Sequence, residues 1–207
     1  MNHPLASTSE VAPDTTPAAE LMLELHFDVN QEGSDLSHRL RRVGPHGANP
    51  DPDTGRHADS LYFALGEQLG VQIRGHGAAG PDTAPERRFV SFQVIDCVIA
   101  TRPQVLQRGM GLITQYSVPS PFQQAIGACY PLPLDFSVSV SGLLPHGNRT
   151  VTQTWKHRLD IGATPGFWEL AMTLTVRITR GAGAAGELRV FSFDPEAEVG
   201  GNGTLKC

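Results

Sequence analysis

The sequence predicts an all-β protein: a single antiparallel β-sandwich of jelly-roll or immunoglobulin-like order, with about eight strands and long loops. Three observations predict it. The last third of the chain alternates apolar and polar residues at period two, the pattern of strands covered on one face. Glycine and proline supply 22 and 16 of the 207 residues, too many backbone breaks for a helical bundle. Hydrophobic residues make up 40% of the chain and charged residues 18%, which suits a packed core. The length fits one all-β domain at 19–199, between a disordered tail at 1–18 and a flexible tail at 200–207.

Taken in order, residues 20–29 place Leu21, Leu23, Leu25, Phe27 and Val29 on one face and Met22, Glu24, His26 and Asp28 on the other, a half-buried strand. Ser34 stands where it can cap a short helix through Arg42, with Leu36, Leu40 and Val43 on its apolar side. Residues 44–59 are dense in Pro, Gly, Asp and His and read as a long loop. Short strands follow at 61–65 and 71–74, then a Gly/Pro/Ala loop at 75–85. Residues 88–101 are strand-like with mixed alternation, which implies a bulge or burial on both faces. An edge strand at 111–118 precedes the breakers Pro119, Pro121, Pro131 and Pro133, with one helical turn at 123–129 between them. In the last third, 134–140 alternates apolar residues with serines. Val151, Gln153, Trp155, His157, Leu159 and Ile161 then share one face, as do Trp168, Leu170, Met172, Leu174, Val176 and Ile178. A Gly/Ala loop at 180–186 joins this last strand to 187–194 as a hairpin, with Phe191 and Phe193 on one face and Leu188 and Val190 on the other.

The formal charge of −5 gives no positive field for nucleic acid or acidic lipid, so neither nucleic acid nor membrane is expected as a partner. No apolar run approaches the roughly 20 residues that cross a bilayer, the polar start does not read as a signal peptide, and the cytoplasm is the expected location. Cys97, Cys129 and Cys207 are odd in number and widely spaced, unlike a disulfide framework or zinc site, and Cys97 reads as a buried thiol. The chain has no phosphate-binding Gly-Lys-Ser/Thr loop, Gly-x-Ser-x-Gly elbow, Cys-x-x-Cys pair or His-Glu-x-x-His helix.

Few residues then stand out as candidates. Trp155 and His157 on one strand face could hold a small-molecule or carbohydrate ligand, although a core role is simpler. Histidines 38, 46, 57 and 76 gather near Asp51, Asp53 and Asp59, a mixture that suits a transition metal such as Zn²⁺ but also any polar loop. Residues 49–55 offer Asp51 and Asp53 in a calcium-loop-like spacing, with the glycine one place late and Ser60 where a bidentate glutamate belongs. Asp194, Glu196 and Glu198 alternate as a hard-cation chelator would, whereas Asp194-Pro195 more simply ends the last strand. The metal candidates are thus Asp51, Asp53, His57, Asp194, Glu196 and Glu198, with no cofactor expected. Arg39, Arg41 and Arg42 read as a solvated face.

The residues 167–170, Phe-Trp-Glu-Leu, followed by 190–195, Val-Phe-Ser-Phe-Asp-Pro, resemble the end of the bacterial inclusion-body protein family of AidA/PixA type. The Asp-Pro-Glu ending is also similar to the small bacterial DP-EP family. The resemblance implies a β-sandwich without an assigned activity, and carries no site residues over. The function expected is therefore non-enzymatic: binding or self-association as a homo-oligomer through sandwich edges. A metal-assisted small-molecule or carbohydrate binder with weak hydrolase or isomerase activity is the alternative.

Overall fold

The computed structural model describes residues 20–43, 60–104, 118–124, 128–162, 164–181 and 185–200. Its strands are β1 (Glu20–Asp28), β2 (Ser37–Val43), β3 (Ser60–Ala64), β4 (Gln68–Ala78), β5 (Phe89–Pro103), β6 (Cys129–Pro131), β7 (Phe136–Val140), β8 (Asn148–Trp155), β9 (Leu159–Asp160), β10 (Gly166–Arg180), β11 (Glu187–Phe193) and β12 (Glu196–Gly200). They form two six-stranded sheets. The first runs β2-β1-β4-β8-β7, with β9 also on β4, and the second runs β3-β12-β10-β5-β6, with β11 also on β10.

Both sheets contribute to one core. Leu21, Leu23, Leu25 and Phe27 of β1 are buried in the same cluster as Leu170, Met172, Leu174 and Val176 of β10. The Phe27 ring meets Phe92 of β5 edge-on at 5.1 Å and Phe191 of β11 at 4.7 Å. Each such side chain contributes about 1.5–3 kcal/mol by leaving water. The β10 alternation is borne out: all six apolar residues from Trp168 to Ile178 are buried, and Glu169, Thr173 and Arg177 face out. In β11, Phe191 and Phe193 are buried while Leu188 and Val190 are exposed, as the hairpin reading requires. The irregular pattern of β5 does come from bulges, because the register with β10 slips at Ile95 and at Val90.

Several expectations are corrected. The sheets are mixed rather than antiparallel, since β1 lies parallel to β4 and β3 parallel to β12. Parallel partners need a long crossover, and local residue patterns do not encode which distant strand becomes the neighbour. Residues 37–43 form β2 rather than a helix capped by Ser34. Leu40 lies opposite Leu23 and is buried there, so pairing with β1 overrides the local helical spacing. The loop expected from 75 begins only after Ala78. Gly75 and Gly77 stay within β4 because the ring space above them is taken: a Cβ on Gly75 would lie 2.8 Å from Phe27 Cζ.

Asp194-Pro195 does end the strand at 187–193, but that strand is not the last. The ladder breaks at Pro195, which has no N–H, but the chain continues as β12 along the same flank of β10, opposite residues 166–169. Ala197 and Val199 are buried, and the Pro195 carbonyl accepts the N–H of Leu170 at 2.9 Å. The alternation at 134–140 does give β7, yet Leu134, Val138 and Val140 are exposed, because β7 is the terminal strand of the first sheet. Of 123–129, residues 123–124 form a turn and Cys129 opens β6. The tail at 1–18, the loop at 44–59, residues 111–117 of the expected strand at 111–118 and residues 201–207 lie outside the described residues, and Val118 is described but is not in a strand. Among the described residues no helix is long and apolar enough to cross a membrane.

Candidate functional site

The inward face of β1 is apolar, so its outward positions carry Glu24 and His26. The parallel register sets Glu24 beside Gln72 and His26 beside Arg74 of β4, and β4 in turn sets Gln72, Arg74 and His76 beside Thr154, Thr152 and Thr150 of β8. Period two thus assembles a polar face on the side of the first sheet away from the core.

Glu24 anchors this face. It is only 5% exposed, and its Oε1 accepts hydrogen bonds from Arg41 Nε at 3.1 Å and Arg74 Nη2 at 3.2 Å. A buried carboxylate without such partners would be strongly disfavoured. Arg74 also donates to Gln72 Oε1 at 2.6 Å, and Gln72 Nε2 donates to Thr154 Oγ1 at 3.0 Å. Glu24 Oε2 lies 3.9 Å from His26 Nε2. His26 Nδ1 is 3.5 Å from His76 Nε2, and His76 Nδ1 is 2.9 Å from Thr150 Oγ1. The row Glu24–His26–His76–Thr150 therefore crosses three strands. It borders an open cleft of about 490 Å³ that is also lined by Asp28, Gln31, Asp35 and Ser37.

Both imidazoles are harder to protonate than an ordinary histidine. Burial lowers the His26 pKa most, the Arg74 guanidinium and His76 add to this, and Glu24 opposes it. Burial is also the largest influence on His76; Asp28 pulls its pKa back up and Arg74 pushes it down. The unfolded chain, with ordinary histidines at 6.5, binds protons at a pH where the folded chain resists them. The fold should thus be at full strength above pH 6.5 and lose stability as the pH falls from there through the lowered folded values. Urea midpoints between pH 8 and pH 5 should fall, and the fall should be shallower in the His26→Gln/His76→Gln double variant. Equal slopes in the two proteins would contradict this.

The sequence-derived candidates take different places. Trp155 is buried and donates its Nε1–H to the Pro133 carbonyl at 2.9 Å, so it belongs to the core. His157 lies exposed past the end of β8, 3.5 Å from Asp135, with its ring 5.4 Å from Trp155. The Lys156 ammonium, 2.6 Å away, holds the Asp135 carboxyl below the usual carboxylate range. Asp51, Asp53 and His57 lie outside the described residues. Asp194 is exposed at the joint between β11 and β12; Glu196 and Glu198 lie in β12, and their side chains are outside the described set. Arg41 and Arg42 are on β2 rather than a helix, bound to Glu24 and to the buried Glu67, respectively.

Of the four histidines gathered in sequence, His76 comes to the polar face and His38 sits on β2, 5.1 Å from the Phe193 ring. His76's partner is His26, whose only signal was its outward position on β1. Among the described residues, no three His, Cys, Asp or Glu side chains converge as a metal-holding group. Cys97 is buried, and burial pushes its thiol up to about 12, which removes it as a nucleophile. Comparison with protein-family models and with curated proteins finds no match to this sequence.

Proposed function

We propose that this chain is a non-enzymatic β-sandwich protein that acts by binding, and that its partner is a second copy of itself joined through β7. The core shared by the two sheets supports the sandwich. The observation that carries the self-association is the outer edge of β7, which pairs with no further strand among the described residues. Val138 and Val140 are 60% and 52% exposed, and Leu143 and Leu144 continue the apolar surface. Open edges are normally guarded by charge, proline or a bulge. β2, at the other end of the sheet, has three arginines and β6 ends on a proline, whereas β7 reads Phe-Ser-Val-Ser-Val with no guard. An antiparallel β7–β7 pair centred on Val138 would set Phe136 opposite Val140 of the other copy, an isologous apolar contact. The resemblance of the final strands to the inclusion-body and DP-EP families supports the same reading.

Light scattering over a concentration series should show a monomer giving way to a dimer. Val138→Lys, which places a charge on the edge, should hold the protein monomeric without unfolding it. A monomer at every concentration, or a dimer indifferent to Val138→Lys, would contradict the proposal. Binding of a small molecule is the second reading, favoured by the cleft beside His26 and His76.

A further inference from the structure

We propose that His26 and His76 together hold one transition-metal ion of the Zn²⁺ or Ni²⁺ class at the rim of the cleft on the first sheet's outer face. This site is independent of β7 and of any self-association. The ring centres are 5.8 Å apart and the planes lie within 6° of parallel. With His26 Nδ1 and His76 Nε2 3.5 Å apart, that centre-to-centre distance arises only when the two nitrogens point at one another along the line joining the rings.

The outer nitrogen of His76 has a hydrogen-bond partner, and that of His26 faces a carboxylate beyond hydrogen-bond reach. His76 Nδ1 meets the Thr150 hydroxyl at 2.9 Å, and His26 Nε2 faces the Glu24 carboxylate at 3.9 Å. A metal-binding histidine donates its other ring N–H to an oxygen acceptor, a part that the Thr150 hydroxyl can take for His76. Across the gap two neutral imidazoles offer one N–H and one lone pair, and a shared cation takes a lone pair from both inner nitrogens once that proton sits on the outer nitrogen of its ring. The 3.5 Å gap is long for a hydrogen bond, whose donor–acceptor distance is roughly 2.7–3.2 Å. It is close to the span of about 3.4 Å between two nitrogens on a tetrahedral ion with bonds of about 2.0–2.1 Å. Binding requires each partly exposed ring to turn toward the cleft, so that the lone pairs converge on one point rather than oppose. The backbones stay in place, since β1 and β4 are paired along their length. Imidazole suits zinc and nickel rather than calcium, and two protein ligands leave the remaining positions for water, since no third ligating side chain converges with them among the described residues.

The full chain, freed of metal, should take up one equivalent of ZnCl₂ in a calorimetric titration. His26→Gln and His76→Gln should each weaken that equivalent at least tenfold, with unchanged far-ultraviolet circular dichroism. In the unaltered protein, nitrogen NMR should show Zn²⁺ moving His26 Nδ1 and His76 Nε2; this readout decides the matter even where a variant fails to fold. No uptake of Zn²⁺, uptake undiminished in both variants, or nitrogen shifts confined to other histidines would each overturn the proposal.

Discussion

Leu174→Ala should destabilise the protein by about 2–5 kcal/mol, the cost of lost transfer energy plus the cavity that remains. Leu174 is fully buried near the middle of β10, opposite Cys97 of β5 on one side and Phe191 of β11 on the other. With ordered strands on both sides, the site has little room to collapse. Thr173→Ala, one position away on the exposed face, should stay within about ±0.5 kcal/mol. Urea unfolding of the two variants gives the comparison directly. Similar losses for both would mean that the outer face of β10 is also covered, and that the second sheet is not an outer layer there.

Gly77→Val should also destabilise, by about 1–3 kcal/mol or more, through overpacking. Valine suits strands better than glycine, so on an open strand position the same change would be neutral or favourable. At Gly77 a Cβ would stand 2.5 Å from Val29 Cγ2 and 2.7 Å from Phe89 Cβ, closer than carbon atoms approach. Gly142→Ala is the control, because no atom lies within 4 Å of a Cβ placed there. It should be neutral or raise stability by up to about 1 kcal/mol, through a less flexible unfolded chain. The expected difference is in the sign of the shift in denaturant midpoint, and a Gly77→Val variant as stable as the original chain would remove the packing role assigned to this glycine.

What the sequence made legible follows from what period two can encode. Alternation tells which residues share a face, and β1, β8, β10 and β11 were therefore visible with their buried sides. The same alternation is silent on whether another sheet covers that face, which is why Val138 and Val140 appeared as core and stand in solvent. Gly75 and Gly77 looked like a loop because glycine marks turns far more often than it marks a strand crossed by aromatic rings. Asp194-Pro195 looked terminal because proline stops a ladder, although here the chain resumes on the same flank. The polar face was the least legible part. His26 and His76 are 50 residues apart in sequence and meet only through the parallel β1–β4 pairing, which no local spacing announces.

The most direct test of self-association through β7 is amide hydrogen exchange measured at two protein concentrations, one below and one above the onset of association. The account predicts that the β7 amides, within 136–140, gain protection at the higher concentration, while β2 at the opposite edge of the same sheet exchanges alike at both. Association accompanied by unchanged exchange in β7 would contradict it and place the contact on another surface.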